Sequence, residues 1–256
     1  MITAVKNATH RTLRRMGVDV IRYDAQNSHE AALARLLAVR EIDTVLDIGA
    51  NEGQYATMVR RAGFRGKIIS FEPLTQAHAK LKQVASRDPM WTVAPRTALG
   101  DREGTLLMHV AQNSVSSSAL PMHDAHLRAA PESAYIGSEM VPVSRLDSVA
   151  KDLAAGRKLF VKIDVQGFEA QVLDGAERIL ENVLALELEL SLVTTYDGQT
   201  LFLPQINSLA KHGFDLWYLI PGFVNKESGR MLQVDGIFCR SDAASNGGRF
   251  NREIEA

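Results

Sequence analysis

"VLDIGANEGQY", residues 45–55, runs from an apolar strand into Asp47, then through a Gly49-Ala50-Asn51-Glu52-Gly53 loop into a helix that starts near Gly53. A short apolar run turning through glycines into a helix opens a parallel β/α fold, and such a turn normally cradles a ligand at the helix N-terminus. A pyrophosphate-binding dinucleotide turn needs the spacing G-x-G-x-x-G. Here Asn51 stands at the second glycine, and no third glycine follows at that spacing. Asp47 lies two residues before Gly49, where a carboxylate would repel a pyrophosphate but suits a ligand with a cationic end. S-adenosylmethionine, which has an ammonium and a sulfonium and no phosphates, fits better. Glu72, in "SFEP" at the end of the next strand, is placed to accept hydrogen bonds from both ribose hydroxyls. The competing reading is a plain strand-to-helix turn capped by Asn51.

Outward from that turn the βαβ rhythm of a parallel sheet continues. A helical period places Leu33, Leu36 and Leu37 on one face before the first strand. Strands follow at "TVLDIG", "KIISFE", "WTVAP", "TLLMHV", "LFVKID", "LALELEL", "FDLWYL" and "QVDGIFC", with helices expected over 75–86, 144–154, 168–181 and 200–212. The fold class is therefore α/β. Residues 111–140, rich in Ser, His, Pro and Ala without a clear period, read as a substrate loop. Residues 1–42 read as an N-terminal helical extension, 43–240 as the main domain and 241–256 as a frayed tail.

The chain has 256 residues, 46% of them hydrophobic, which suits one substantial core. A formal net charge of -1 argues against the basic footprint that nucleic acid needs. Cys239 is the only cysteine, so neither an internal disulfide nor a thiolate metal cluster is available, and a reducing, cytoplasmic setting is expected. The opening "MITAVKNATHRTLRRMGVDV" has no apolar run after its basic residues, and no stretch has the length of a membrane span. A small-molecule or glycan acceptor is the expected partner, without nucleic acid or stable membrane insertion, and a homodimer is left open.

Five blocks in order, "VLDIGANEGQYA", "SFEP", "KIDVQGFEAQVLDGA", "LELELSLVTTYDGQ" and "GFVNKESGRMLQVDGIFCR", resemble the FkbM family of S-adenosylmethionine-dependent methyltransferases, from about residue 43 to residue 240. The resemblance implies a Rossmann-like class I methyltransferase fold: a seven-stranded, mostly parallel sheet with an antiparallel last strand and helices on both faces. It also implies O-methylation of a sugar or polyketide hydroxyl. Carried over by position, it places Asp47, Gly49, Asn51 and Gly53 around the methionine part of the cofactor, Glu72 on the ribose and Ala98 and Leu99 near the adenine. Asp164 and Gln166 would line the floor under the sulfonium. The commoner family residue at the position of Gln166 is Glu.

Side chains alternate along a strand, so Lys162 and Asp164 share one face, as do Glu187 and Glu189 of "LALELEL". Buried between covering helices, such acids need partners. Lys162 is expected to neutralise Glu187 or Asp47, with Asp164 and Glu189 at the strand ends facing the ligand crevice. Methyl transfer to an alcohol is faster when a base takes the hydroxyl proton. Candidate bases are Asp164, Glu189, His123 and His126. A second route is Mg²⁺ held by Asp164 and Glu189. Glu169 reads equally as a charge favoured in the first helical turn, and His109 as a structural histidine. Ser116, Ser117 and Ser118 read either as a binding edge or as part of a flexible loop. Tyr196, Asp197 and Gln199 are expected to rim the crevice and bond a polyhydroxy ligand, with His126 touching substrate from the loop. Asp235 either reaches the site's edge or satisfies the "NKESGR" hairpin. The rival functions are an NAD-dependent oxidoreductase or epimerase, disfavoured by the glycine loop, and a noncatalytic S-adenosylmethionine-binding module.

Overall fold

The computed structural model describes residues 13–20 and 23–241. Most of the expected tail, and residues 1–12 and 21–22 of the expected extension, lie outside them. Helix α1 (His29–Val39) is started by Ser28, whose side chain accepts the Ala31 N–H, and it turns Leu33 and Leu37 into the core. Then follow β1 (Thr44–Ile48), α2 (Gln54–Arg61), β2 (Lys67–Phe71), α3 (Thr75–Ala85), β3 (Trp91–Val93), β4 (Ala98–Leu99) and β5 (Gly104–Ala111). After them come α4 (Asp124–Ala129), β6 (Tyr135–Ser144), α5 (Leu146–Val149), α6 (Lys151–Ala154) and β7 (Leu159–Ile163). The chain ends with α7 (Glu169–Asp174), α8 (Glu177–Leu180), β8 (Val183–Ser191), α9 (Phe202–Lys211), β9 (Phe214–Pro221) and β10 (Gln233–Arg240).

Seven strands form one sheet in the order β3-β2-β1-β7-β8-β10-β9, with β10 antiparallel to both its neighbours. β1 and β7 are buried along their whole length, as central parallel strands covered on both faces must be. Helices α1, α2 and α3 pack on the face that carries Val45, Phe160, Ala185 and Cys239. Helices α5, α7, α8 and α9 cover Leu46, Val161, Leu186 and Phe238 on the other. The chain order reverses between β1 and β7, since β2 lies to one side of β1 and β7 to the other. The crevice at the carboxyl ends of these strands is where ligands bind in open α/β sheets.

Three expectations change. Residues 111–140 do not form an open loop: they contain α4 and a 3₁₀ turn, and their last six residues already belong to β6. β6 lies between β4 and β5 in a second, three-stranded sheet. The signal was obscured because Pro142 interrupts β6; β4 reaches only Val143 and Ser144, so that proline lies just outside its pairing. The helices expected over 144–154 and 168–181 are each two short helices, broken at Ala150 and around Gly175–Ala176.

Candidate active site

The crevice begins where β1 ends. Gly49 has φ +78°, and a Cβ there would lie 1.8 Å from the carbonyl oxygen of Asp164, so the turn after β1 passes directly against the end of β7. Asn51, also left-handed at φ 46°, donates its backbone N–H to Glu72 Oε2 at 2.9 Å, while Glu72 Oε1 accepts the Leu74 N–H at 2.9 Å. The second strand end is thereby fixed against the first. The walls are Gly49, Asn51, Glu72, Ala98, Leu99, Ser117, Asp164 and Gln166 among others, and they enclose about 580 Å³ including the open mouth.

Three acids around this crevice are held at an electrostatic cost. Asp47 is fully buried; desolvation lifts its carboxyl to about 6 against the opposing pull of Lys162 and Ser70. Its Oδ2 accepts Ser70 Oγ–H at 3.1 Å, while Oδ1 has no hydrogen-bond partner. Burial likewise pushes Glu72 to about 7 in spite of its two backbone donors. Glu169 is also raised to about 7 by burial, and its Oε1 accepts the Val165 and Gly167 N–H groups at 3.1 Å each. Glu169 therefore braces the turn after β7.

The charged faces of β7 and β8 meet in register, Lys162 opposite Glu187. Asp164 and Glu189 stand on one face and are joined through one side chain. Gln166, left-handed at φ 55°, donates from Nε2 to Asp164 Oδ1 at 2.8 Å and to Glu189 Oε2 at 3.1 Å. Lys162 Nζ bonds Asp164 Oδ2 at 2.9 Å, not Glu187 or Asp47 as expected. A lysine leaning along its own strand reaches the residue two positions on, while its strand neighbours Asp47 and Glu187 flank it in register. Burial works against the Lys162 charge, but Asp164, Asp47 and Glu187 together outweigh it and hold the ammonium above its ordinary range. Glu187 is held instead by Tyr55 Oη–H at 2.8 Å and His29 Nε2 at 3.1 Å. Burial first, then Asp164, Glu169 and Asp235, push Glu189 well above the carboxylate range.

The Mg²⁺ route meets an obstacle here. The carboxamide nitrogen of Gln166 occupies the place between Asp164 and Glu189 that a shared cation would take. Among the described residues no group of three or more His, Cys, Asp or Glu is arranged to hold a metal.

Several expected substrate contacts are structural braces. Tyr196 is fully buried, and its hydroxyl lies 2.6 Å from Gln166 Oε1 and 3.2 Å from Ser116 O. Gln199 Oε1 accepts the Thr195 and Tyr196 N–H groups and the Thr195 hydroxyl, closing its own turn. Ser118 is buried and donates to the Gln166 carbonyl at 2.6 Å. His126 is 3% exposed, packed between Tyr196 and Phe223, and burial lowers it to about 4, which leaves it neutral. His123 caps α4, its Nδ1 accepting the Ala125 N–H at 3.2 Å. Neither histidine lines the crevice. Ser117 does, although its hydroxyl bonds Ser114 O and the Ala111 N–H. These side chains face inward because the segment folds back on the 195–199 turn, pairing Met122 with Tyr196; no local pattern announces such a contact. Gln233, unremarked in the sequence, donates to Glu189 Oε2 at 2.7 Å. Strand alternation puts it on the face of Asp235 and, by register, of Glu189.

Residues 47–216 match the family model described as the methyltransferase FkbM domain. No curated protein sequence matches the chain. Among solved structures, Aeropyrum pernix fibrillarin with bound S-adenosyl-L-methionine is similar at 16% identity and TM-score 0.46, covering 84% of this chain and 76% of that one. An rRNA methylase from Streptococcus thermophilus is similar at 11% identity and TM-score 0.44, covering 84% and 98%. A ribosomal protein L11 methylase from Lactobacillus delbrueckii subsp. bulgaricus is similar at 10% and 0.40, covering 84% and 81%.

Proposed function

Because the chain belongs to the FkbM methyltransferase family and is an S-adenosylmethionine-dependent methyltransferase, we propose that it methylates a hydroxyl of a sugar, glycolipid or other secondary metabolite. The observation that carries this reading is that Asp164 and Gln166 line the cofactor crevice and that the Gln166 amide joins Asp164 to Glu189, which is not itself one of the lining residues. Acids beside a methyl-donor site suit an acceptor whose proton must leave during transfer.

The residues present fit the cofactor. Asp47 Oδ1 is a buried acceptor without a partner, which a ligand ammonium, directly or through a water, would satisfy. Glu72 has accepting capacity beyond its two backbone donors for a ribose diol. Ala98 and Leu99 offer apolar wall for an adenine, and the Gly49 turn brings main chain against the ligand without side-chain interference. When bound, S-adenosylmethionine supplies an electrophilic methyl group. The chain's own residues orient the acceptor, keep Asp164 paired with Lys162, and take up the acceptor's proton. Substrate contacts are proposed for Ser117 and the neighbouring Ser114 at the crevice wall.

The net charge of -1 supports a small or glycan acceptor over nucleic acid. No helix among the described residues is long and apolar enough to cross a membrane. The single cysteine, Cys239, is buried and forms no disulfide, which supports action in a reducing compartment such as the cytoplasm. The test incubates the protein with methyl-labelled S-adenosylmethionine and a metabolite extract from cells lacking it, and looks by mass spectrometry for a labelled methyl ether. Asp164→Asn and Glu189→Gln should abolish the label while calorimetry still detects cofactor binding. Label on nitrogen or carbon would overturn O-methylation, and full activity in both variants would overturn the catalytic assignment. Binding of NAD in place of S-adenosylmethionine would overturn the cofactor.

A further inference from the structure

Asp164 and Glu189 differ in how their oxygens are committed. Asp164 accepts Lys162 at Oδ2 and Gln166 at Oδ1. Glu189 accepts two carboxamides, and both fall on Oε2: Gln166 Nε2 at 3.1 Å and Gln233 Nε2 at 2.7 Å. Gln233 is 2% exposed, and its amide also reaches Ser191 Oγ at 3.3 Å, so it sits in a fixed position. The amide of Gln166 is polarised from its other end. A phenol has one proton to donate; at 2.6 Å the Tyr196 hydroxyl gives it to Gln166 Oε1, which turns the NH₂ end toward the two carboxylates. The reverse orientation would face a carbonyl oxygen against them. Gln166 cannot drift, because its backbone carbonyl is held by Ser118 Oγ at 2.6 Å and a Cβ on Gly167 would already meet Tyr196 at 3.0 Å.

We infer that Gln166 and Gln233 form a carboxamide clamp that pins Glu189 by Oε2 and leaves Oε1 to receive the acceptor's proton, with Tyr196 as the positioning residue that orients the clamp. The inference rests on the methyl-transfer reading. As the acceptor's oxygen–carbon bond forms and the carbon–sulfur bond breaks, the O–H electron pair stays on the acceptor oxygen and its proton passes to Oε1. The products are a methyl ether, a neutral thioether and neutral Glu189. The charged groups facing Glu189 are Lys162 from β7, Asp164 just after it, Glu169 from α7 and Asp235 from β10. Three acids favour the neutral carboxyl. Lys162 and the two amides oppose them, and the amides are the nearer.

The clamp is tested on the full-length protein without any acceptor, by titrating side-chain-labelled glutamate and glutamine in NMR spectra, with Glu189 identified through Glu189→Gln. In the wild type, the side-chain amide signals of Gln166 and Gln233 are expected to shift with the Glu189 midpoint. Amides that ignore that midpoint overturn the clamp before any variant is made. Gln233→Met, similar in shape but without a donor, is expected to move the midpoint up by about one pH unit or more, as loss of a hydrogen bond to a charged group implies. Tyr196→Phe, which touches neither carboxylate, should move it the same way by less. A bracing role alone would lower the melting temperature and leave the midpoint in place, so a folded variant with an unmoved midpoint overturns the inference. If Gln233→Met does not fold, Tyr196→Phe and the wild-type amide signals decide. Failure of wild-type protein to bind S-adenosylmethionine would instead sink the methyl-transfer reading, with the amide titration standing apart from it.

Discussion

Gly49→Ala tests whether the main chain sets the crevice. Two penalties apply. The left-handed backbone at φ +78° costs an alanine about 1–2 kcal/mol. The new Cβ would also stand 1.8 Å from the Asp164 carbonyl oxygen, well inside the 3.0 Å that real contacts respect, so two strand ends must part by roughly an ångström. Neither side is a flexible side chain that can swing away. Gly229→Ala isolates the first penalty, since Gly229 has φ +69° and open space around its Cβ position. Part of its strain is offset by the stiffer unfolded chain, leaving a net loss of about 1 kcal/mol. Gly49→Ala adds backbone overpacking and should lose about 3–5 kcal/mol by urea unfolding. Its affinity for S-adenosylmethionine, measured by calorimetry, should fall about a hundredfold, because misplacing Asp164 by an ångström disturbs the site as well as the fold. If the two variants were equally stable and bound the cofactor equally, the contact between the β1 turn and the end of β7 would not be what shapes the crevice.

Lys162→Met leaves Asp47, Asp164 and Glu187 without their buried cation and should destabilise the protein by about 3–5 kcal/mol at pH 8 in urea unfolding. The loss should shrink towards pH 5, because Asp47, raised to about 6, becomes neutral on the way down; a loss constant with pH would mean these acids do not feel the lysine. His126 is depressed from 6.5 to about 4, so its contribution is complete above pH 6.5 and lost as pH falls towards 4, about 3 kcal/mol in all. His126→Leu should flatten that part of the stability profile, and an unchanged acid limb would contradict a neutral buried imidazole. Glu72, at about 7, should ionise more fully when its oxygens accept a ribose diol, so S-adenosylmethionine binding should release protons near pH 7 and weaken as pH drops from 8 to 6. Calorimetry in buffers of different ionisation enthalpy reads this directly, and absence of proton release would remove Glu72 from the ribose.

What the sequence revealed depended on the range of the forces involved. The turn at Gly49 is local, and its glycine spacing together with Asp47 two residues before it argued for S-adenosylmethionine over NAD. The shared face of Asp164 and Glu189 follows from strand alternation, and the register of Lys162 with Glu187 and the Gln166 amide that bonds both acids agree with it. Tyr196 and Gln199 read as crevice residues because they follow a strand end. The burial of Tyr196 arises from residues 114–123 folding over it, a contact between segments about 80 residues apart, while the Gln199 side chain is bonded into its own turn. Gln233 was missed for a related reason: a lone amide at the start of a strand acquires meaning only when β10 pairs with β8. The Lys162 partner came out differently because side-chain lean along a strand competed with cross-strand pairing, and lean won.

Gln166 is followed by Gly167, the kind of pair in which an unhindered backbone nitrogen attacks the preceding side chain and slowly converts the amide to an acid. In the folded protein that nitrogen is tied to Glu169 Oε1, and the side chain is held away from it by Asp164, Glu189 and Tyr196. The network that orients the site therefore also slows its chemical ageing. In stored folded protein, peptide mapping by mass spectrometry should find residue 166 still an amide, and in protein held in denaturant it should find the acid at that residue sooner.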